Sequence, residues 1–379
     1  MAKAKFSRWQ ATLGLLLLFA GGASAAEPPA AAASSAAQAR WLRLPKLYGR
    51  ITARELGLVI NTADPYSVAV GEHYAKRRGI PPEQVLRVQL PVRARLTREE
   101  FAALDEAIRH DMPAHVNGLA LAWVQPYAVE CNGLTGALGL GLQPELCAHS
   151  CAVTRASPYM NYSGSRPWAV LGLRPAMQLA ARSVTAALAM IERGIASDHT
   201  MATARPEAAM AYLAATPDGA RNVRERLFPP AGPVPGASAL EVVRVRSEAL
   251  PPMRRILVYE TGLARVPAPL GGEWLPGALA DHLTSHGGLL DRPAGEGQMS
   301  VLDWIDAGAT ASYGAASEPC NHVQKFPHPQ VLVLAYAQGV SALEAYWRSV
   351  AWPGQGVFVG EPLAAPFAPA PASAPAPAP

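Results

Sequence analysis

The sequence predicts an α/β protein in which helices cover both faces of a mostly parallel β-sheet. The first half of the chain alternates strand and helix patterns in the order βαβαβ, which is typical of that arrangement. The composition agrees, because 50% of the 379 residues are hydrophobic and only 16% are charged. A disordered chain, a coiled coil and a disulfide-dense mini-protein are excluded, the last because the chain has only 4 cysteines.

The first strand and helix have strong boundary signals. Residues 56–60 form a short apolar run that is typical of a buried strand. Asp64 before Pro65 predicts an N-cap followed by the first residue of a helix. Gly79 predicts that this helix ends in the left-handed conformation just after Arg78.

The next three elements complete the βαβαβ pattern. Residues 85–90 and 116–124 have the composition of two further strands. Between them, Thr97 and Glu100 form a capping box, which predicts a helix that runs to about Asp111.

The second half of the chain gives fewer boundary signals. A long helix is expected over 175–193, with Arg174 near its start. Residues 229–238 are rich in Pro and Gly and mark either a surface loop or a seam between two halves. Strands are further expected at 241–246, 256–259, 308–313 and 356–359, and helices at 299–306 and 340–350.

The chain begins with the pattern of a signal peptide. A positively charged start precedes the apolar residues 11–20, which are too few to span a membrane, and Ala23-Ser24-Ala25 offers a cleavage site. Removal of residues 1–25 leaves a formal net charge of about +1. We therefore expect an exported, soluble protein in the periplasm or outside the cell, with no membrane span after signal removal.

The composition of the termini limits the folded domain. Residues 26–39 are rich in Ala, Pro and Ser and are expected to be a disordered lead-in. Residues 364–379 alternate Ala and Pro, which predicts a disordered, extended tail and leaves 40–363 as the α/β domain. No long basic run is present, so we expect a small molecule or a peptide, and not nucleic acid, as the partner.

Candidate ligand-binding residues follow from the predicted sheet. Ligands of an open parallel sheet bind in the crevice outside the carboxyl ends of its strands. The polar loop residues that this rule selects as cleft candidates are Asn61, Asp64, Tyr127, Ser285 and Glu318.

Residues 281–288 form the stretch best supplied with reactive side chains. Asp281, His282 and His286 lie within it, and imidazole is the side chain best suited to proton transfer near neutral pH. The pair Gly287-Gly288 would let a backbone amide approach a substrate oxyanion. The two histidines could equally be loop residues that only form structural hydrogen bonds.

Cys320 is the candidate nucleophile. It follows the strand expected at 308–313, and a nearby His286 or His282 would generate a thiolate, with Asp281 or Glu318 orienting the base. In an exported protein, however, an even number of cysteines favours disulfides. The disulfide candidates, whose pairing the sequence leaves open among three arrangements, are Cys131, Cys147, Cys151 and Cys320.

The spacing of Cys147 and Cys151 also fits a zinc site loosely, with Cys131 or Cys320 as a further ligand. The even cysteine count favours disulfides over this alternative, and we expect no metal. Signatures for nicotinamide, flavin, haem and nucleotide cofactors are absent from the sequence, so no cofactor is expected.

Several stretches together resemble a family of uncharacterised exported bacterial proteins. The resemblance covers roughly residues 50–367 and implies relatives but no reaction, because that family has no established activity. The stretches that carry it are 58–61 with 64–67, 73–81, 280–285, 307–314, 318–321, 325–327 and 360–363.

More distantly, the layout resembles the caspase-like fold of gingipain-type cysteine peptidases, a three-layer arrangement similar to the flavodoxin-like one. Gly360-Glu361-Pro362 is similar to the Gly-Asp-Pro turn that follows a small-residue strand in those enzymes. The resemblance implies a catalytic pair made of a His-Gly at one strand end and a Cys at the next.

Two alignments with these peptidases compete. The first places the His-Gly at His286-Gly287 and the nucleophile at Cys320. The second fits the strand and the turn slightly better, and places the nucleophile at Thr284 or Ser285 and the His-Gly near 125–127. It leaves neither a cysteine nor a histidine where the pair should be.

Three functions therefore stay open from the sequence. The first is a cysteine-type hydrolase that uses Cys320. The second is a non-catalytic exported protein that binds a small ligand or a peptide terminus in its carboxyl-edge cleft, with the cysteines in disulfides. The third is an envelope-associated structural protein in which the Pro/Ala tail acts as a spacer.

Overall fold

The computed structural model describes residues 40–202, 207–266, 272–293 and 297–370. It confirms the predicted class: an 11-stranded, mostly parallel sheet is surrounded by helices. The predicted signal peptide and lead-in lie outside the described residues.

Fourteen strands are present in the described ranges. They are β1 (Leu56–Asn61), β2 (Val85–Val88), β3 (Arg95–Leu96), β4 (Gly118–Leu121), β5 (Ala128–Val129), β6 (Asn132–Gly133), β7 (Ala176–Gln178), β8 (Ala209–Ala215), β9 (Gly232–Val234), β10 (Ala237–Arg246), β11 (Ile256–Thr261), β12 (Trp274–His282), β13 (Ala311–Ala315) and β14 (Gly356–Gly360).

Nine α-helices connect these strands within the same ranges. They are α1 (Pro65–Arg78), α2 (Arg98–Asp111), α3 (Leu134–Leu140), α4 (Glu145–Ala148), α5 (Pro167–Leu171), α6 (Val184–Ser197), α7 (Val301–Ala307), α8 (Pro329–Ala337) and α9 (Ala342–Ser349).

The large sheet has the strand order β2-β1-β4-β7-β14-β13-β12-β11-β8-β10-β9. The pairs β1–β2, β1–β4 and β4–β7 are parallel, as are β13–β12, β12–β11, β11–β8 and β8–β10. The pairs β13–β14 and β9–β10 are antiparallel. A small second sheet, β3-β5-β6, lies beside the large one.

The residues of β1 show how the helices divide between the two faces of the sheet. Leu58 belongs to a buried cluster that includes Tyr74 of α1 and Met190 of α6. Val59 belongs to a separate cluster that includes Leu104 of α2 and apolar residues of α3. Because successive strand residues point to opposite faces, α1 and α6 cover one face, and α2 and α3 cover the other.

The boundary signals in the first half predict the elements closely. α1 runs from Pro65 to Arg78, the Asp64 side chain accepts a hydrogen bond from the amide of Tyr66, and Gly79 has φ 64°. α2 begins with the expected capping box, in which Thr97 and Glu100 bond reciprocally. Each of these residues satisfies a backbone group that the helix end leaves free.

The helix expected over 175–193 is wrong in its first part. Residues Ala176–Gln178 form β7, a fully buried strand paired with β4, and the helix begins only at Val184. Ser183 caps that helix by accepting from the amide of Ala186. Alanine-rich sequence favours helix, but burial between two strands overrides the propensity here.

Residues 229–238 are neither a loop alone nor a seam. They contain β9 and the start of β10, which pair as a hairpin around Gly236 at φ 79°. The segment therefore closes one edge of the sheet, and the packed core continues on both sides of it.

The packed chain extends beyond residue 363, where we expected the tail to begin. Ala364, Ala365 and Ala368 are buried, and Phe367 packs against Tyr336 with ring centroids 6.0 Å apart. The first part of the predicted tail is thus core, while residues 371–379 lie outside the described residues.

The Gly-Glu-Pro turn anchors the end of β14 to the end of α1. Glu361 is fully buried, and both of its oxygens accept from Arg78, at 3.0 Å from Nε and 2.6 Å from Nη2. Tyr74 donates to the same carboxylate at 2.6 Å, and Asp198 also pairs with Arg78. The side chain of this turn therefore has a structural role. Among the described residues, no helix is long and apolar enough to cross a membrane.

Candidate functional site

A crevice lies where the carboxyl ends of the parallel strands meet the loops that follow them. Arg95 donates to the carbonyl of Ala316 at 3.4 Å, and Tyr127 donates to the carboxylate of Asp291 at 2.8 Å. These bonds join the segment after β2 to the one after β13, and the segment after β4 to the one after β12. The carboxyl ends of both halves of the sheet therefore share one edge, as the sheet rule requires for a ligand site.

The crevice contains two cavities. The first, of about 440 Å³, lies beyond β1, β4 and β7 and is hereafter the anion cavity; its walls include Asp64, Tyr66, Gln125, Arg182, Asp291 and Arg292. The second, of about 360 Å³, lies beyond β8, β12 and β13 and is hereafter the disulfide cavity; its walls are Ala220, Arg221, Leu283, Thr284, Ser285, Glu318, Cys320 and Asn321.

The segment 283–293 contributes to both cavities, and His286 lies in its middle. Two glycines let this segment approach β13: the amide of Gly288 donates to the carbonyl of Ala315 at 3.0 Å. A Cβ atom on Gly314 would lie 2.4 Å from the carbonyl carbon of Gly287 and from the amide nitrogen of Gly288. The position of His286 is therefore set by backbone contact between glycines.

Cationic side chains gather around His286. Burial lowers the pKa of this half-buried imidazole, and the charges of Arg292 and Arg95 lower it further, whereas Glu318 opposes them. Arg95 also lies over the ring of Tyr127, with 5.9 Å from its guanidinium carbon to the ring centroid. Burial and the Asp291 carboxylate together raise the pKa of Tyr127, so this hydroxyl stays protonated and donates. The surroundings of His286 thus favour a negative guest.

Arg182 in the wall of the anion cavity is already neutralised. Its guanidinium pairs with Asp303 at 2.7 Å and with Asp306 at 2.8 Å, and it donates to the carbonyl of Arg292 at 2.8 Å. Arg182 therefore positions the backbone of Arg292 and is not itself available as an anion ligand.

Two of the cleft candidates have structural roles. Asn61 is fully buried and brackets Leu90, accepting from its amide at 2.9 Å and donating to its carbonyl at 3.1 Å. Asp64 caps α1 through the amide of Tyr66 at 3.0 Å, although it also lines the anion cavity. Asn61 cannot bind a ligand in this arrangement, because both ends of its amide are occupied.

His282 is a structural residue and not a general base. Its Nδ1 accepts from the indole of Trp304 at 2.8 Å, and its Nε2 lies 3.0 Å from the carbonyl of Met299, to which it donates. Burial lowers the pKa of His282 to about 4, so the ring is neutral near pH 7. Both ring nitrogens are used, which contradicts the catalytic assignment of His282.

Asp281 does not orient a histidine. It is fully buried, and its Oδ1 accepts from Arg224 at 2.6 Å. The same guanidinium lies 3.2 Å from the buried carboxylate of Glu260 and donates to the carbonyl of Thr261 at 2.8 Å. The catalytic assignment of Asp281 is therefore also wrong, since its partner is a buried arginine.

All four cysteines are bonded. Cys131 pairs with Cys147, and Cys151 pairs with Cys320, so no free thiol is present. This contradicts the hypothesis of a Cys320 thiolate with His286 as its base, and it also removes the cysteines as zinc ligands. Within the described ranges, no group of three or more His, Cys, Asp and Glu side chains could hold a metal ion.

Ser285 and Glu318 both face the disulfide cavity. One oxygen of Glu318 accepts from the amide of Cys320 at 2.7 Å. This bond holds Cys320 at φ 57°. Nearby, Lys325 donates to the carbonyl of Ser150 at 2.7 Å, and burial lowers its pKa to about 8. The structure thus brings together the second-half candidates Ser285 and Glu318, and separates them from Asp64, which lies in the other cavity.

Sequence reasoning missed the arginines of the site. Arg292 and Asp291 lie only a few residues beyond Gly287-Gly288, so extending that polar stretch would have found them. Arg221 lies beyond β8, a strand whose alanine-rich sequence gave no alternation to detect. Arg95 lies in a two-residue strand of the small sheet and has no sequence signal at all.

Comparison with known proteins adds a distant likeness. No family model matches the chain, and no curated protein matches it. Among solved structures, the chain is similar to the crystal structure of the Arg-specific cysteine proteinase gingipain R. The identity is 10%, the TM-score is 0.45, and the match covers 84% of this chain and 80% of that one. A likeness of this degree assigns no activity to the chain.

Proposed function

We propose that the protein is an exported, non-catalytic binding protein whose carboxyl-edge crevice holds a small anion. The observation that carries this proposal is the position of Arg292 in the wall of the anion cavity, with His286 close enough to feel the charges of both Arg292 and Arg95. His286 and Arg292 belong to the segment 283–293 and Arg95 to β3, and the charges of the two arginines disfavour a positive charge at His286. A carboxylate or phosphate guest would relieve that repulsion.

The state of the cysteines favours binding over thiol hydrolysis. A thiolate is the nucleophile in cysteine hydrolases, and each of the 4 cysteines is in a disulfide. His282 and Asp281, the other members of the hypothetical catalytic set, are occupied by structural partners. The remaining imidazole, His286, therefore acts as an anion ligand.

Two disulfides also fit export, since such bonds persist in oxidising compartments. Cleavage after residue 25, residence in the periplasm or outside the cell, and kinship with exported bacterial proteins are parts of the same proposal. Intact mass of the protein from the cell envelope, before and after reduction, tests them together. A mature chain that begins near Ala26 and gains four hydrogens on reduction is expected.

Isothermal titration with acetate, succinate and inorganic phosphate tests anion binding. We expect at least one of these anions to bind, and Arg292→Gln to weaken its affinity about 10-fold or more, because a hydrogen bond to a charged group contributes about 1.5–3 kcal/mol. The matched control is Arg87→Gln on edge strand β2, where the exposed arginine pairs only weakly with Glu72 at 3.5 Å.

Either of two results would reject this function. One is the absence of binding for all three anions together with wild-type folding, as judged by the unfolding midpoint. The other is a free, fast-reacting thiol at Cys320 in the native protein, detected by alkylation and peptide mapping, which would restore the hydrolase hypothesis.

A further inference from the structure

A second ligand site lies in the disulfide cavity, apart from the anion cavity. Three loops enclose it, one after each of β8, β12 and β13. The carboxyl ends of these strands share one edge of the sheet, because β8 and β12 are both parallel to β11, and β13 is parallel to β12. Its volume of about 360 Å³ lies near the lower end of the range of ligand pockets, about 300–1,000 Å³. The ligand must therefore be small.

Bonds to neighbouring residues hold the walls of this cavity in place, and they occupy only part of each charged group that lines it. Cys320 is fixed to Cys151, and its amide donates to one oxygen of Glu318. Arg221 is fixed by Asp218, whose carboxylate accepts from Nη1 at 2.5 Å and whose carbonyl accepts from the Arg221 amide at 3.0 Å. A preformed cavity loses little entropy when a ligand binds.

The chemistry of the walls is dipolar. Arg221 supplies a cation with several N–H donors, of which Asp218 uses one, and Glu318 supplies a carboxylate, of which the Cys320 amide uses one oxygen. Hydroxyls of Thr284 and Ser285 provide neutral hydrogen-bonding groups. A guest with both charges can pair with the free N–H donors of Arg221 and with the free oxygen of Glu318 at once, whereas a guest with one charge pairs with only one of them.

We infer that the disulfide cavity binds a dipeptide-sized zwitterion, with the carboxylate of the guest at Arg221 and its ammonium at Glu318. Leu283 and Ala220 provide the apolar wall that the aliphatic part of such a guest contacts. Because the cavity shares no lining residue with the anion cavity, this site is independent of the proposed anion binding.

The test uses three probes that share the dialanine frame and differ in charge: dialanine, N-acetyl-dialanine, whose acylated amine is uncharged, and dialanine amide, which lacks the carboxylate. Isothermal titration of the full mature protein with each probe measures the affinities. We expect dialanine to bind at least about 10-fold more tightly than either analogue.

Two variants locate the charges. Glu318→Gln keeps an oxygen that can accept from the Cys320 amide, and is expected to bind dialanine no better than wild type binds N-acetyl-dialanine. Arg221→Gln is expected to bind dialanine no better than wild type binds dialanine amide. The matched controls are Arg226→Gln, an exposed arginine of the same loop region, and the exposed Glu145→Gln; neither should change the affinity.

The outcomes separate this inference from the proposed function. Absence of dialanine binding, equal affinity for all three probes, or an equal loss in the control variants each overturns the zwitterion site. Arg292→Gln should weaken anion binding and leave dialanine affinity unchanged. Absence of anion binding in the wild-type protein, with dialanine bound as expected, rejects only the proposed function. Circular dichroism and the unfolding midpoint of each variant show that it has folded.

Discussion

The buried carboxyl pair Glu260 and Asp281 predicts an unusual pH dependence of stability. Both side chains are fully buried, and one guanidinium, Arg224, lies 3.2 Å from the first and 2.6 Å from the second. Burial and the neighbouring Asp281 charge raise the pKa of Glu260 well above its ordinary value, and Arg224 only partly opposes them. The folded protein therefore keeps a proton on this pair up to a higher pH than the unfolded chain does.

The sign of the effect follows from that proton. A raised folded-state pKa contributes stability that is fully present below the unfolded pKa, about 4.3 for Glu, and is lost as pH rises towards the folded pKa. One proton corresponds to a slope of about 1.4 kcal/mol per pH unit in the free energy of unfolding. Glu260→Gln removes the titrating group and keeps the shape of the side chain, so it removes this slope.

Urea unfolding at pH 5, 6 and 7 measures the difference between Glu260→Gln and wild type. We expect the stability of the variant relative to wild type to increase by about 1.4 kcal/mol for each pH unit, as long as Glu260 stays protonated in the folded protein. The exposed Glu83→Gln serves as the control and should parallel wild type. Parallel curves for Glu260→Gln and wild type would refute the idea of a buried proton.

Three further predictions test other parts of the structure. Arg224→Met leaves the buried carboxyl pair without its cation, so urea unfolding at pH 7 should show a loss of about 3–5 kcal/mol; a loss below about 1 kcal/mol would contradict the pairing. His282→Gln should reduce the fall in the free energy of unfolding between pH 6.5 and 4. The reason is that the wild-type imidazole, with its pKa lowered to about 4, stabilises the fold only while it is neutral. Equal pH profiles of the variant and wild type would count against this role. Gly314→Ala places a methyl group 2.4 Å from the backbone of 287–288. It should lower the free energy of unfolding by about 1–3 kcal/mol, measured by urea unfolding, and weaken anion binding, measured by titration. An unchanged variant would show that this contact is loose.

The elements best predicted from the sequence are those with local boundary chemistry. Asp64, Pro65 and Gly79 fix both ends of α1 through capping bonds that involve only neighbouring residues. The strand β7 was missed because Ala176, Met177 and Gln178 have no alternation of polar and apolar residues. Such a strand is buried on both faces, so only its partners in the sheet reveal it.

The residues of the candidate site also differ in how far the sequence alone could predict their roles. The rule that ligands bind at carboxyl strand ends selected the loops that carry Asp64, Ser285 and Glu318, and each of these residues lines a cavity. The roles of His282 and Asp281 depend on Trp304 and Arg224, residues 22 and 57 positions away in the chain. No local pattern contains such distant partners, so the reactive appearance of 281–288 was misleading.

The position of β14 has a consequence for the order in which the protein can fold. This strand is the last of the strands in the described residues, yet it lies in the interior of the large sheet between β7 and β13. The two halves of the sheet therefore cannot be joined until the chain has been made as far as residue 360, and a shorter nascent chain leaves the open sides of β7 and β13 exposed.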